Sequence, residues 1–67
     1  MKSRSTVKTF DQLQINDVFH YDGLDYVKMR EQMIVINNRF RIVNACPLHS
    51  RDLKYFSHDR KVEKIED

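Results

Sequence analysis

The amino-acid sequence predicts a mainly β fold formed by one small domain. Two stretches rich in aromatic and β-branched residues are each interrupted by a two-residue turn signal, Asp22-Gly23 in the first and Asn37-Asn38 in the second. Such a pattern is typical of β-hairpins. The chain has 67 residues and no low-complexity tract, which leaves room for a single domain. We expect this domain to span residues 1–67, with flexible ends at residues 1–5 and 66–67.

The first hairpin has a register that follows from its turn. A two-residue turn at Asp22-Gly23 pairs Tyr21 with Leu24, and the pairing continues along both strands to Asp17 and Lys28. Because opposite residues share a face of the sheet, one face collects aromatic and apolar side chains and ends at Lys28. That face consists of Phe19, Tyr21, Leu24 and Tyr26. The other face can serve the core of a barrel and consists of Val18, His20, Asp25 and Val27, with Met29 beyond.

The second hairpin divides its faces more sharply. A turn at Asn37-Asn38 pairs Ile36 with Arg39 and Met33 with Ile42. One face is entirely apolar and is predicted to be core: Met33, Val35, Phe40 and Ile42. The other face carries Ile34, Ile36, Arg39 and Arg41. A shift of one residue would bury both arginines, so the register is well specified.

The remaining segments complete the predicted fold. Thr9 and Gln12 have the spacing of a capping box, and we expect one short helical turn near residues 10–13. For residues 50–65 two alternatives stay open: a helix from Ser50, or two strands around the turn "SHDR". We favour the strands, because two hairpins need further strands for independent stability. The expected architecture is a small, strongly bent antiparallel sheet or a partly open barrel of the Src-homology-three type.

Composition excludes several classes of protein. Twelve Lys and Arg against ten Asp and Glu give a net charge of +2, which is too weak to indicate a nucleic-acid-binding domain by itself. A single cysteine, Cys46, excludes an internal disulfide framework and favours a cytoplasmic location. No run of about 18 apolar residues is present, so we expect no membrane-spanning helix, and residues 1–10 do not resemble a signal peptide.

Catalysis and metal binding have little support in the sequence. Cys46 and His49 have a C-x2-H spacing, but one such pair is a far weaker signal than two. His20 and His58 are the other histidines. Pro47 directly follows Cys46, so no helix N-terminus is expected there to activate the thiol. We expect a protein that is not an enzyme and has no metal or other cofactor.

Aromatic and basic side chains on the two hairpins indicate binding instead. The predicted partner-binding residues are Tyr21, Tyr26, Lys28, Arg30, Arg39 and Arg41. Protein interfaces are rich in Tyr and Arg, which supply contact area and forked hydrogen bonds. The alternative is a single-stranded nucleic acid, bound by base stacking and phosphate contacts. A structural role competes with both, because Phe10, Leu13 and the C-terminal segment can cover the aromatic face as a second core layer.

The stretch "TFDQLQINDVFHYDGLDYVK" combines Phe-x-x-Leu, a turn, an aromatic strand, a second turn and Tyr-x-Lys. These features fall on Phe10, Leu13, Asn16-Asp17, Phe19, Tyr21, Gly23, Tyr26 and Lys28. The pattern resembles that of short phage-encoded accessory proteins, in which glycine usually stands in the place of Asn16. The resemblance implies a protein in the host bacterial cytoplasm that inhibits or modulates a host protein. It carries over no catalytic residue, and a second copy of the chain stays open as a partner.

Overall fold

The computed structural model describes residues 4–66, which form one five-stranded antiparallel sheet. The strands are β1 (Arg4–Thr9), β2 (Val18–Tyr21), β3 (Leu24–Ile36), β4 (Arg39–Pro47) and β5 (Lys61–Glu66). Their order in the sheet is β1-β5-β2-β3-β4. β1 and β4 are therefore its two edges, and the sheet is not closed into a barrel. The prediction of a mainly β fold with a small antiparallel sheet is confirmed.

Both predicted hairpins form with the predicted registers. The pairs run from Tyr21–Leu24 to Val18–Val27 in the first hairpin and from Ile36–Arg39 to Met33–Ile42 in the second. The φ angles are 51° at Asp22 and 80° at Gly23, and 52° at Asn37 and 62° at Asn38. Positive φ at both central residues is the requirement of a type I′ turn, whose twist matches that of the strands. Asn16, the residue in place of glycine, also has a positive φ of 77°.

The predicted helical turn forms as a 3-10 helix over Phe10–Gln12. Gln12 Oε1 accepts the Thr9 N–H at 3.0 Å, which is the backward half of the expected capping box. The first two N–H groups of the helix donate to the carbonyl oxygens of Arg60 and His58, at 2.8 and 3.0 Å. The C-terminal segment therefore holds this short helix against the sheet.

The first and last strands reach into the two ends that the sequence predicts to be flexible. Within the predicted flexible end at residues 1–5, residues from Arg4 onward belong to β1, because β5 pairs with β1 along its whole length. Residues 1–3 lie outside the described residues. At the other end, Glu66 completes β5 and Asp67 lies outside the described residues.

Only half of the favoured hairpin over residues 50–65 forms, and the alternative helix does not form. The turn after Phe56 is present, with the Arg60 N–H donating to Ser57 O at 3.1 Å. β5 follows the turn, but it pairs with β1 and β2 instead of with the segment before the turn. That segment has one isolated bridge, from Lys54 to the outer edge of β4. It is held there by contacts distant in sequence, which the local pattern does not encode.

The core lies on one face of the sheet and is rich in aromatic rings. Its buried residues are Phe10, Leu13, Phe19, Tyr26, Ala45, Phe56 and Val62. Phe19 is fully buried, and its ring centroid lies within 5.5 Å of three other aromatic rings. The second core layer is thus formed as expected by the 3-10 helix and the C-terminal segment. Val18 and Val27, on the opposite face, are only half-buried and stay outside this core cluster, which corrects the expectation that they serve it.

A hydrogen bond between β1 and β5 lowers the pKa of the Glu66 carboxyl group, and an NMR titration can test this effect. Thr6 Oγ1 donates to Glu66 Oε2 at 2.9 Å, and this bond, assisted by the charge of Lys64, lowers the pKa of Glu66 below its ordinary value. A lowered pKa in the folded state means that the bond stabilises the fold above the unfolded-state pKa and is lost as pH falls through the folded one. We expect Thr6→Val to return the pKa of Glu66 toward its ordinary value in a carboxyl ¹³C NMR titration.

The matched control for this titration is Thr9→Val, another threonine of β1. The Thr9 hydroxyl donates to Asp11, so its removal should leave Glu66 unchanged. Identical Glu66 titrations in the wild type and Thr6→Val would show that the hydrogen bond does not control this group.

Candidate functional site

The distal halves of β3 and β4 form a two-stranded ribbon that extends beyond the rest of the sheet. β2 pairs with residues 24–27 of β3, and the bridge from Lys54 reaches β4 at Ala45. Among the described residues, those from 30 to 42 have strand partners only within this ribbon. The molecule is correspondingly elongated, with extents of 44 × 24 × 19 Å. We call residues 30–42 the arm.

An irregular pairing separates the arm from the body of the sheet. Lys28 pairs with Ala45, and the next regular pair is Gln32 with Val43. β3 therefore advances four residues while β4 advances two, which is a β-bulge that bends the strand and increases its twist. On the other side of β4, the N–H groups of Asn44 and Ala45 both donate to Lys54 O, at 2.9 and 3.1 Å. Regular pairing in the ribbon therefore resumes at Gln32 and Val43, and Arg30 lies in the irregular segment at the base of the arm.

The predicted core face of the second hairpin is exposed on the arm. The exposed fractions are 63% for Met33, 62% for Val35, 73% for Phe40 and 47% for Ile42. The prediction that this face is core is therefore wrong, although the register behind it is right. The face is open because the ribbon projects past the body that would have to cover it. We call these four residues the apolar arm face; contiguous exposed apolar residues of this kind are typical of interaction sites.

The reverse face of the arm carries the two predicted arginines. Arg39 and Arg41 are exposed, beside Ile34 and Ile36. Within the described part of the chain, neither guanidinium lies in an ion pair. The carboxylate of Asp52 has a lowered pKa, mainly because of its hydrogen bond and charge interaction with Lys54 and to a smaller extent because of the charge of Arg41. The arginines are therefore available to a partner.

The two predicted tyrosines pack in the core or against it. Tyr26 is only 4% exposed, with its ring stacked 5.4 Å from that of Phe19. Tyr21 is half-buried, meets Phe56 edge-on at 5.2 Å and has the Arg60 guanidinium 5.7 Å from its ring centroid. Phe56, from the segment before β5, covers the aromatic face of the first hairpin, which the sequence assigned either to a partner or to the core. Tyr26 is therefore a core residue, and Tyr21 packs against the edge of the core.

Lys28 is also engaged within the fold. Its Nζ donates to Phe10 O at 2.9 Å and to Leu13 O at 2.6 Å, and it lies 4.7 Å from the Phe10 ring centroid. The ammonium group therefore ties the 3-10 helix to β3. Arg30 is exposed at the base of the arm.

The arm thus contains three of the six predicted binding residues: Arg30, Arg39 and Arg41. Sequence reasoning did not single out the apolar arm face as a candidate binding surface. The sequence does show an all-apolar face on the second hairpin, but such a face was interpreted as core. A hairpin face of this composition is compatible with either location.

The potential metal ligands and nucleophile are dispersed. Among residues 4–66, no three His, Cys, Asp or Glu side chains are grouped closely enough to hold a metal ion. His20 Nδ1 lies 2.8 Å from Asp25 Oδ1 in the predicted cross-strand pair. Cys46 is a half-buried free thiol whose Sγ lies 3.6 Å from Pro47 O. These side chains therefore do not converge on one site.

The fold and the arm define a small open-sheet β protein with a projecting two-stranded ribbon. Comparisons with protein-family models, with curated proteins and with solved structures found no match. In the part of the chain that the structure describes, no helix has the length and hydrophobicity needed to cross a membrane.

Proposed function

We propose that this protein is a non-enzymatic binding protein that docks on a host protein through the apolar arm face. The observation that carries the proposal is the exposure of four large apolar side chains on one face of a projecting ribbon. The resemblance to phage-encoded accessory proteins supports a partner in the host bacterial cytoplasm. Inhibition or modulation of that partner is the corresponding biological role.

The position of these apolar residues argues against a purely structural role. None of the residues in the arm belongs to the core cluster. The apolar arm face therefore lies outside the core that stabilises the free chain, while exposed apolar ribbons favour aggregation. Covering it with a partner gains roughly 25 cal/mol for each Å² of apolar surface removed from water.

The chemistry of the apolar arm face favours a protein over a nucleic acid. Phe and Met are enriched at the centres of protein interfaces, and charged residues are depleted there. The alternative, a single-stranded nucleic acid, has less support, because it requires exposed rings beside basic groups. Tyr26 is buried and Tyr21 half-buried, while Arg39 and Arg41 lie on the face opposite Phe40.

Site-specific photo-crosslinking tests this proposal. A photoreactive phenylalanine analogue at position 40 should form an adduct with one host protein in a lysate, because this ring is 73% exposed at the end of the arm. Nuclease treatment should not change the adduct. Unlabelled wild-type chain should compete it away, whereas a Met33→Ser/Phe40→Ser variant should not compete.

The matched control places the same photoreactive residue at position 7. Val7 is 65% exposed on β1, outside the arm, and should give no such adduct. Equal adducts at both positions, or none at position 40, would contradict the proposal. A nuclease-sensitive adduct would favour the nucleic-acid alternative, and an adduct with a second copy of the chain would replace the host protein as partner.

A further inference from the structure

The outer edge of β4 is unpaired along the arm. β4 is an edge strand of the sheet. Among the described residues, its one outer bridge is that of Lys54, whose carbonyl oxygen accepts the N–H groups of Asn44 and Ala45. The backbone N–H and C=O groups of Arg39 and Arg41 face β3, because these residues form the hydrogen-bonded pairs with Ile36 and Ile34 that follow from a two-residue turn. Phe40 and Ile42 alternate with them and therefore present their backbone donors and acceptors along this edge. An edge of this kind is a template for pairing with a strand from another chain.

Charged and apolar side chains alternate along this edge. Arg39 and Arg41 point to one face of the arm, and Phe40 and Ile42 belong to the apolar arm face. In a sheet, directly opposite residues share a face, and opposite charges there are favourable while like charges are not. A strand that matches the edge therefore carries acidic residues opposite the arginines and apolar residues opposite Phe40 and Ile42.

The same alternation disfavours a second copy of the chain on this edge. Symmetric antiparallel pairing centred on Phe40 places Arg39 opposite the Arg41 of the other copy. Pairing centred on Arg41 or Arg39 places that arginine opposite itself. Pairing centred nearer the body is obstructed, because Lys54 already occupies the edge at Asn44 and Ala45. The edge therefore favours a strand whose sequence differs from that of β4 and contains acidic residues.

We propose that residues 39–42 bind an extended segment of the protein partner as a sixth strand, and that this segment alternates acidic and apolar residues. The proposal rests on the proposed function and specifies the chemistry of the partner. Backbone hydrogen bonds along the edge hold the segment. The arginine pair selects its charge, and Phe40 and Ile42 extend the apolar contact onto it.

Titration of the ¹⁵N-labelled full chain with two synthetic peptides tests this proposal. One peptide alternates Val and Glu, and the other has Lys in place of every Glu. The Val-Glu peptide should shift the amide signals of residues 39–42 and bind about tenfold more tightly than the Val-Lys peptide. The reason is that Glu opposite an arginine forms an opposite-charge cross-strand pair, whereas Lys in the same place forms a like-charge pair. An Arg39→Glu/Arg41→Glu variant should reverse this preference, and its exposed positions leave the core intact.

Three outcomes would overturn the proposal: equal binding of the two peptides, an unchanged preference in the charge-reversed variant, or no shift at residues 39–42 at millimolar peptide. These outcomes are distinguishable from failure of the proposed function. If position 40 still crosslinks to a host protein, only strand addition fails. If position 40 gives no adduct, docking through the arm fails whatever the peptides do.

Discussion

Replacing Phe19 by alanine is expected to abolish cooperative folding of the chain, whereas replacing Phe40 by alanine should leave its stability almost unchanged. Phe19 has no exposed surface, and its ring lies 5.5, 5.4 and 5.2 Å from the rings of Phe10, Tyr26 and Phe56. Truncating a buried phenylalanine costs about 3–5 kcal/mol. A domain of this size rarely has more than ~3–5 kcal/mol of stability from its core, so the folded state is lost.

Phe40 is the matched control, because it makes the same chemical change at a side chain that is 73% exposed. Exposed substitutions usually change stability by less than about 0.5 kcal/mol. Urea denaturation followed by circular dichroism measures both variants. A cooperative transition retained in Phe19→Ala, or lost in Phe40→Ala, would contradict the division of apolar residues between the core and the arm.

Asn44 is the second position where a large effect is expected. It is 3% exposed; its Nδ2 donates to Phe56 O at 2.9 Å, and its Oδ1 accepts the Phe56 N–H at 2.8 Å. The side chain thus replaces a strand partner for Phe56. Asn44→Ala leaves both backbone groups of Phe56 without these partners in the interior, at about 1–3 kcal/mol for each group. Urea denaturation should show a loss of about 2–6 kcal/mol, the sum for the two groups.

The variant Asn44→Asp tests in which direction the stability changes with pH. An ionised carboxylate can accept from the Phe56 N–H but repels Phe56 O, whereas the protonated acid can satisfy both groups. The pKa of this carboxyl should therefore be raised in the folded state. Stability of the variant is then greatest below the unfolded-state pKa and is lost as pH rises through the folded one. Asn44→Ala should lack this additional dependence; equal pH profiles for the two variants would contradict the assigned hydrogen bonds.

The local chemistry of the turns made both hairpin registers predictable. Asp22-Gly23 and Asn37-Asn38 are residue pairs that accept positive φ, and once they define the turn, every opposite pair follows from the alternation of the strands. The capping spacing of Thr9 and Gln12 is local in the same way. None of these features depends on residues far away in the chain.

The features that could not be predicted depend on long-range contacts. The segment before β5 is held by the Asn44 side chain, twelve residues from its partner Phe56, and by the bridge between Lys54 and Ala45. Burial of Tyr26 likewise depends on where Phe56 lies. The all-apolar face of the second hairpin has the same sequence pattern whether a body covers it or not. Its exposure follows from the bulge and from the reach of the ribbon beyond β2.

The accessibility of the Met33 methyl group tests the central claim most directly. In a monomeric chain labelled with ¹³C-methyl methionine, a soluble nitroxide should broaden the Met33 signal strongly and that of Met29 less, because Met33 is 63% exposed and Met29 is half-buried. A Met33→Leu variant assigns the signal. Strong broadening of Met33 is the result expected for an apolar arm face open to a partner. A Met33 methyl as protected as that of Met29 would contradict it, because the face would then be covered by the chain itself.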